Sequence, residues 1–187
     1  MQAALSISRA IDGLSRRLAR VVSWMTLGMV LVGALNALAR KIGPSLGLAL
    51  SSNAYIELQW YLFSLVFLLG APYTLRANGH VRVDVLYGGH RPVARAWIDL
   101  VGTLVFLLPF CAVATWYSWD FAAISIREGE ISSDPNGLLR WPLKAVIPAA
   151  FILVGLQGIS EAIKRVGILK GLTPEEVELD ETPLEEG

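Results

Sequence analysis

Four long apolar segments constrain the fold of this chain more than any other feature of its sequence. They cover residues 21–39, 56–73, 97–119 and 142–163. About 20 predominantly apolar residues form a helix that crosses the hydrocarbon core of a bilayer. The stretches before, between and after these segments are far shorter than the roughly 50 residues with which domains begin. The sequence therefore predicts an all-α integral membrane protein with four transmembrane helices and no soluble catalytic domain.

Composition and charge agree with a membrane protein. Hydrophobic residues make up 54% of the chain and charged residues only 17%, whereas soluble domains carry about 25% charge. The net charge of zero gives no indication of a nucleic-acid partner, and we expect none. The single cysteine, Cys111, excludes an intrachain disulfide and a cysteine-based metal cluster. Residues 164–187 form a tail rich in acidic residues, which we expect to be cytoplasmic and disordered.

Residues 1–20 show the pattern of an amphipathic helix. Ile7, Ile11 and Leu14 fall on one helical face, while Arg9 and Arg16 fall on the opposite face. This pattern is typical of a helix that lies in the membrane interface with its arginines toward anionic lipid headgroups. The alternative is a basic leader that only sets the topology.

The first apolar segment, residues 21–39, has two interpretations. Arginines precede it, and it ends in Ala37-Leu38-Ala39, which is similar to a signal peptidase site. However, the segment is longer than the roughly 7–15 residues of a signal-peptide core. A retained transmembrane helix is therefore the favoured interpretation.

The distribution of basic residues predicts the orientation. The N-terminal segment, loop 74–96 and the tail together hold eleven Lys and Arg residues, whereas loops 40–55 and 120–141 with Lys144 hold five. Basic residues in short loops favour the cytoplasmic side. Both termini are therefore expected in the cytoplasm, and the two less basic loops outside a bacterial inner membrane.

The residues required for cofactor chemistry are missing from the predicted helices. Haem in a helical bundle needs histidines within the membrane, but His80 and His90 both lie in loop 74–96. A zinc site needs three or four converging ligands, and these histidines with Asp84 are too few and too irregularly spaced. We expect no cofactor, no metal and no enzymatic activity.

Ionisable side chains lie only at the edges of the apolar segments. Glu57, Asp99 and Glu161 are each within three residues of a segment end. A self-sufficient transporter is expected to keep such groups at mid-membrane, where they do work that offsets their cost. Four central stretches contain no Asp, Glu, Lys, Arg or His: residues 27–34, 63–69, 105–113 and 149–156. This distribution favours a scaffold without its own transport pathway.

The most distinctive stretch follows the second segment, at residues 80–84 (HVRVD). Its valines alternate with Arg82 and Asp84 in a pattern that suits an extended segment. We interpret it as a short segment docked by its valines, with the charged residues paired to each other or to another subunit. Basic residues that only set topology are the alternative, and catalysis is the least favoured.

The sequence resembles a known family, the small membrane subunit of the tripartite ATP-independent periplasmic (TRAP) transporters. The resemblance covers roughly residues 15–165, and its most specific element is HVRVD. Other residues also carry it: Glu57, Trp60, Leu75, Arg76, 132–138 (SSDPNGL), 141–144 (WPLK), 147–148 (IP) and 156–158 (LQG). The later elements are similar to the branch associated with keto-acid or aromatic carboxylate uptake.

The resemblance implies a non-catalytic subunit of a sodium-coupled importer of organic acids. Its implied partners are a large membrane subunit, which holds the substrate and sodium sites, a periplasmic substrate-binding protein and membrane lipids. Candidate inter-subunit or structural residues are Glu57, Trp60, Arg76, His80, Arg82, Asp84, Asp99 and Lys144. Candidate docking residues for the binding protein are Arg127, Glu128, Glu130, Asp134 and Arg140.

Two other function classes are weighed against this interpretation. One is a four-helix membrane assembly factor unrelated to transport, and the other is a small intramembrane enzyme or redox subunit, which the missing ligands oppose.

Small residues allow close packing of membrane helices. Five glycines are therefore candidate close-approach points within the bundle or against another subunit: Gly28, Gly33, Gly70, Gly102 and Gly155.

Overall fold

The computed structural model describes residues 1–48, 52–79 and 91–172, and this part of the chain is helical throughout apart from short turns. The predicted residues His80, Arg82 and Asp84 and the acidic tail from residue 173 lie outside the described residues. The helices are α1 (Gln2–Leu46), α2 (Asn53–Arg76), α3 (Pro92–Gly102), α4 (Leu108–Glu128) and α5 (Trp141–Leu169). A π-helical segment, Thr103–Leu107, joins α3 to α4.

Four helical rods are long and apolar enough to span a membrane. They are Gln2–Leu46, Asn53–Arg76, Val93–Glu128 and Trp141–Leu169, and each contains one predicted segment. The prediction of an all-α membrane protein with four spans is therefore confirmed. The last rod continues to Leu169, so residues 164–169 of the predicted tail are helical.

The first rod is one uninterrupted helix that includes residues 2–20 and the first predicted span. At 1.5 Å per residue, its 45 residues reach about 67 Å. This is more than twice the roughly 30 Å of a hydrocarbon core, so α1 is much longer than a single crossing requires. The interfacial placement of residues 1–20 stays a prediction.

The π-helical segment coincides with a missing backbone donor and a close helix contact. Pro109 has no N–H for the carbonyl of Val105 four residues earlier, which disturbs the α-helical hydrogen-bond ladder at this point. Gly158 of α5 faces the same segment, because a Cβ at Gly158 would lie 2.9 Å from Leu107 Cδ2. A glycine is needed here for the two helices to approach.

Helix packing buries small side chains and leaves large apolar ones exposed. α1 packs along α2, α4 packs along α5, and α5 also contacts α1, α2 and α3. Core residues include Ala96, Cys111 and Ala150, whereas Phe106 and Trp116 are more than 70% exposed. The burial of small residues and the exposure of large apolar ones suit a membrane. Lipid solvates large apolar side chains, and membrane helices associate through small residues and polar contacts.

The five predicted glycines divide into two groups. Gly33, Gly70 and Gly155 face Gln59, Val22 and Cys111 across helix contacts, whereas nothing in the described structure lies within 4 Å of a Cβ at Gly28 or Gly102. The first three are close-approach points within the bundle. The other two are not, and their use against another subunit stays a prediction.

Candidate functional site

Polar side chains gather at the two ends of α5, and they form two separate clusters. The first, the α1–α5 cluster, lies near the C-terminal end of α5 and consists of Ser8, Asp12, Ser15, Gln157, Ser160, Glu161 and Lys164. The second, the loop cluster, lies near the N-terminal end of α5 and joins α2 to the loop between α4 and α5. Its members are Glu57, Tyr61, Ser125, Glu130, Ser132, Arg140 and Lys144.

Asp12 is the centre of the α1–α5 cluster. Its carboxylate accepts hydrogen bonds from Gln157 Nε2 and Ser160 Oγ, each at 2.8 Å, and lies 2.7 Å from Lys164 Nζ. The helix repeat explains the convergence, because positions 157, 160, 161 and 164 follow i, i+3, i+4 and i+7 spacing and share one face of α5. A single aspartate of α1 therefore meets a polar stripe of α5.

Serines extend the same contact along α1. Ser15 Oγ donates to Gln157 Oε1 at 2.6 Å, and the hydroxyls of Ser8 and Ser160 are 2.7 Å apart. The side chain of Gln157 is fully buried, and its amide also donates to Glu161 Oε1 at 3.3 Å. Polar groups at such buried positions are tolerated when their hydrogen bonds are made, as they are here.

Ion pairs connect this cluster to two more helices. Arg76 of α2 lies 3.8 Å from Asp12 Oδ2, and Lys164 also pairs with Glu161 at 2.9 Å. Arg165 Nε lies 3.2 Å from Asp99 Oδ2 of α3. These three acids and three bases balance in charge, which is the condition for keeping them in a region of low dielectric constant. Together they clamp α1, α2, α3 and α5 at one end of the bundle.

Glu57 is the anchor of the loop cluster. Although it is a carboxylate, it is 2% exposed, and it accepts hydrogen bonds from Ser132 Oγ and, at 2.5 Å, from the backbone N–H of Leu138. A Cβ at Gly137 would lie 2.9 Å from Glu57 Oε2, so a glycine allows the loop to approach. Tyr61, one turn further along α2, donates to the carbonyl of Leu139 at 2.8 Å.

Glu130 and Lys144 close the other side of the loop. Lys144 Nζ lies 2.5 Å from Glu130 Oε2, Ser125 Oγ donates to the same oxygen at 2.7 Å, and Lys144 also lies 4.2 Å from the centre of the Phe121 ring. The hydrogen bond from Lys144, followed by that from Ser125, holds the pKa of the Glu130 carboxyl below its ordinary value.

Backbone hydrogen bonds give the loop a defined shape. Ser132 N donates to Leu138 O at 2.9 Å and Arg140 N donates to Glu130 O at 2.8 Å. These bonds place Ile131 and Leu139 opposite each other in an isolated antiparallel bridge. The Arg140 side chain donates to Ser132 Oγ at 3.2 Å. The loop is therefore a closed hairpin fastened to α2 and α5.

Some of the predicted site residues make polar contacts within the chain, whereas others are exposed. Glu57, Arg76, Asp99 and Lys144 all make intramolecular polar contacts, as do Glu130 and Arg140 among the docking candidates. Trp60 stacks on Tyr61 with ring centres 4.9 Å apart and is 40% exposed. Arg127, Glu128 and Asp134 are exposed on or beside the loop.

Sequence reasoning missed most of the α1–α5 cluster. Asp12, Ser8 and Ser15 fall in the segment predicted to be interfacial, and Lys164 falls in the predicted tail. The available signal was the spacing of polar residues at 8, 12 and 15, which forms one helical stripe. In the structure this stripe, and not the stripe of Ile7 and Leu14, faces the bundle: Ile7 is 56% and Leu14 41% exposed.

The members of both clusters bond to each other across helices and show no metal-binding group in the described part of the chain. Within residues 1–48, 52–79 and 91–172, no group of three His, Cys, Asp or Glu side chains converges to hold a metal ion. The apolar hollows beside α4 and α5 contain no member of either cluster. Both clusters therefore act as clamps between helices.

These features define the class: a polytopic helical membrane protein whose helices are clamped by polar clusters at the bundle ends. Comparison with protein-family models extends this result. The family described as "Tripartite ATP-independent periplasmic transporters, DctQ component" matches residues 29–167. The chain belongs to this family and is a small TRAP transporter component in the membrane. Comparisons with curated proteins and with solved structures gave no match.

Proposed function

We propose that this chain is a non-catalytic scaffold that holds the large membrane subunit of a TRAP transporter and offers part of the docking surface for a periplasmic binding protein. Sodium-coupled import of an organic acid then takes place in the large subunit. The keto-acid or aromatic carboxylate branch is proposed from the sequence elements at 132–138, 141–144, 147–148 and 156–158 alone. The proposed location is a bacterial inner membrane, with both termini in the cytoplasm.

The positions of the charged side chains in the bundle are the main support for this proposal. The buried charged side chains of the described bundle meet in mutually bonded clusters toward its ends, while the four central stretches have none. An elevator or pump needs polar groups at mid-membrane to hold its cargo. A rigid body clamped at both ends instead supplies a fixed surface against which another subunit moves.

The fastened hairpin supports the docking role. Its exposed residues combine charges at Arg127, Glu128 and Asp134 with an apolar residue, Ile131, which is 61% exposed. Charged groups at the rim of an interface steer association and set its salt dependence. Since Glu57 and the Glu130–Lys144 pair hold the backbone in place, docking would not require the loop to order first. Glu130 and Arg140 contribute through this support as well as through their charge.

Uptake in proteoliposomes tests the scaffold role. Vesicles that contain the large subunit with and without this chain are supplied with the loaded binding protein and a sodium gradient. We expect uptake only when both membrane subunits are present. Full sodium-coupled uptake by the large subunit alone would refute the required role, and substrate binding by this chain alone would refute the accessory role.

Charge reversal tests the docking surface. Glu128→Lys and Asp134→Lys are expected to change the concentration of binding protein that gives half-maximal uptake, and to alter its salt dependence. Maximal uptake should change less, because it is limited by motion in the other subunit. Lys170→Glu, an exposed charge at the opposite end of α5, is the matched control and should leave both quantities unchanged.

A further inference from the structure

An apolar groove of about 590 Å³ runs along the outside of the bundle between α4 and α5. Cys111 and Gly155 meet at its floor, where a Cβ at Gly155 would lie 3.5 Å from Cys111 Cβ. Trp116 and Phe151 are among the side chains that form its walls. The groove is open on its outer side, so it is shaped to receive an apolar body from the membrane.

The groove continues toward the other end of the bundle. A second apolar hollow, of about 240 Å³, shares Leu108 and Ile159 with the first and reaches Leu100 and Val166. From Leu100 to Asp120 the third rod rises about 30 Å at 1.5 Å per residue, which equals the thickness of a hydrocarbon core. The two hollows thus follow one seam through the whole membrane.

Among the side chains that line this seam, only that of Asp120 is charged. It lies at the end of the groove, beside Trp119 and directly after the predicted third span. Asp120 is exposed and makes no hydrogen bond or ion pair with any residue in the described part of the chain. No Lys or Arg lines either hollow. The seam is therefore apolar along its length, with an unbalanced carboxylate at the Asp120 end and the amino terminus at Met1 bordering the opposite end.

From this arrangement we propose that the groove receives a transmembrane helix of the large subunit, and that this helix carries a Lys or Arg at the level of Asp120. This proposal rests on the proposed function and adds which face of the chain meets the partner. The length of the seam and the charge of Asp120 both favour a helix over a phospholipid as the occupant. The chains of one lipid fill only one leaflet, and a lipid phosphate would meet Asp120 without any basic residue to bind it. A helix fills the full length and brings the missing cation.

Steric and charge variants of the full chain test the proposal when it is co-expressed with a tagged large subunit. Ala112→Trp fills the groove from its exposed rim, while Val113→Trp places the same bulk on the neighbouring exposed position outside the groove. We expect Ala112→Trp to reduce copurification strongly and Val113→Trp to leave it unchanged. Far-ultraviolet circular dichroism and thermal unfolding of each variant alone show that it is folded.

Charge variants test whether a Lys or Arg of the large subunit lies opposite Asp120. Asp120→Asn is expected to weaken the complex roughly threefold to tenfold, the range of single polar contacts between membrane helices, and Asp120→Lys more strongly. Lys170→Gln, which neutralises an exposed charge outside the groove, is the control and should have no effect. An acidic replacement of one Lys or Arg in the large subunit should restore binding to Asp120→Lys.

The outcomes separate the groove assignment from the proposed function. Failure of the unmodified chain to bind the large subunit would overturn both. A complex that survives Ala112→Trp and Asp120→Lys unchanged would overturn only the groove assignment. Loss of a copurifying phospholipid in Ala112→Trp, detected by native mass spectrometry while the large subunit remains bound, would identify a lipid as the occupant and also overturn it.

Discussion

Lys164 Nζ lies 2.7 Å from Asp12 Oδ2, so an ion pair with only 10% of either side chain exposed joins the first turns of α1 to the last turns of α5. The contact lies between the first and last helices of the described chain, and it closes the bundle at one end. It also explains why α1 extends far beyond the first span. The extension supplies the acid that neutralises a buried lysine.

Removal of this lysine is expected to destabilise the protein. Lys164→Ala leaves Asp12 and Glu161 buried without their shared cation, and breaking one partner of a buried pair costs about 3 kcal/mol. The measurement is unfolding by denaturant in detergent. Lys170→Ala, which removes an exposed lysine at the end of the same helix, should change the free energy of unfolding little. Equal stability of the two variants would contradict a structural role for the ion pair.

Gly158 and Gly28 should respond differently to the same replacement. Gly158→Leu is expected to cost about 1–3 kcal/mol, the usual range for overpacking, because a side chain there meets Leu107. Gly28→Leu should be tolerated by the isolated chain, since nothing in the described structure lies within 4 Å of a Cβ at that position. Thermal unfolding in detergent compares the two variants. The packing interpretation fails if Gly28→Leu is the more destabilising.

Loss of the Glu57 carboxylate should release the hairpin. Glu57→Ala removes the acceptor for Ser132 Oγ and for the backbone N–H of Leu138. We expect faster cleavage of residues 129–140 by an added protease, measured by mass spectrometry of the fragments. Glu128→Ala removes an exposed carboxylate nearby and should leave the cleavage rate unchanged. Equal protection in both variants would show that Glu57 does not hold the loop.

The ion pair of Glu130 and Lys144 predicts that the stability of the folded protein depends on pH. Since the pKa of Glu130 is lowered in the folded protein, its stabilising effect is present above the ordinary carboxyl pKa of 4.5 and is lost as the pH falls through the lowered value. The difference in melting temperature between the wild type and Glu130→Gln should therefore be constant from neutral pH down to pH 4.5 and shrink below it. A difference in melting temperature that does not depend on pH would refute the effect.

Cysteine labelling tests the proposed orientation. In a Cys111→Ser background, Ser133→Cys should react with a membrane-impermeant maleimide in intact spheroplasts, because it lies on the exposed hairpin. Ser6→Cys, at the exposed start of α1, should react only after permeabilisation. The reverse pattern would place both termini outside.

The sequence by itself determined that the chain is helical with four segments able to span a membrane. Whether a segment crosses a membrane depends on the length and hydropathy of that segment, which are local properties. Local position also placed Glu57, Asp99 and Glu161 at the edges of apolar segments, where an ionisable group can be tolerated. The inter-subunit or structural roles of the candidate residues stay predictions. The family motifs are likewise continuous stretches that can be recognised without a fold.

Only the tertiary structure decided which partner each charge has. Asp12 meets Lys164, and Glu57 meets the backbone of Leu138, across distances in the chain that no local pattern encodes. These pairings depend on how each helix is rotated and where it crosses its neighbours. Rotation also decided that the polar stripe of Ser8, Asp12 and Ser15 faces inward, since a buried charge needs a partner, and that Ile7 and Leu14 lie on the exposed face.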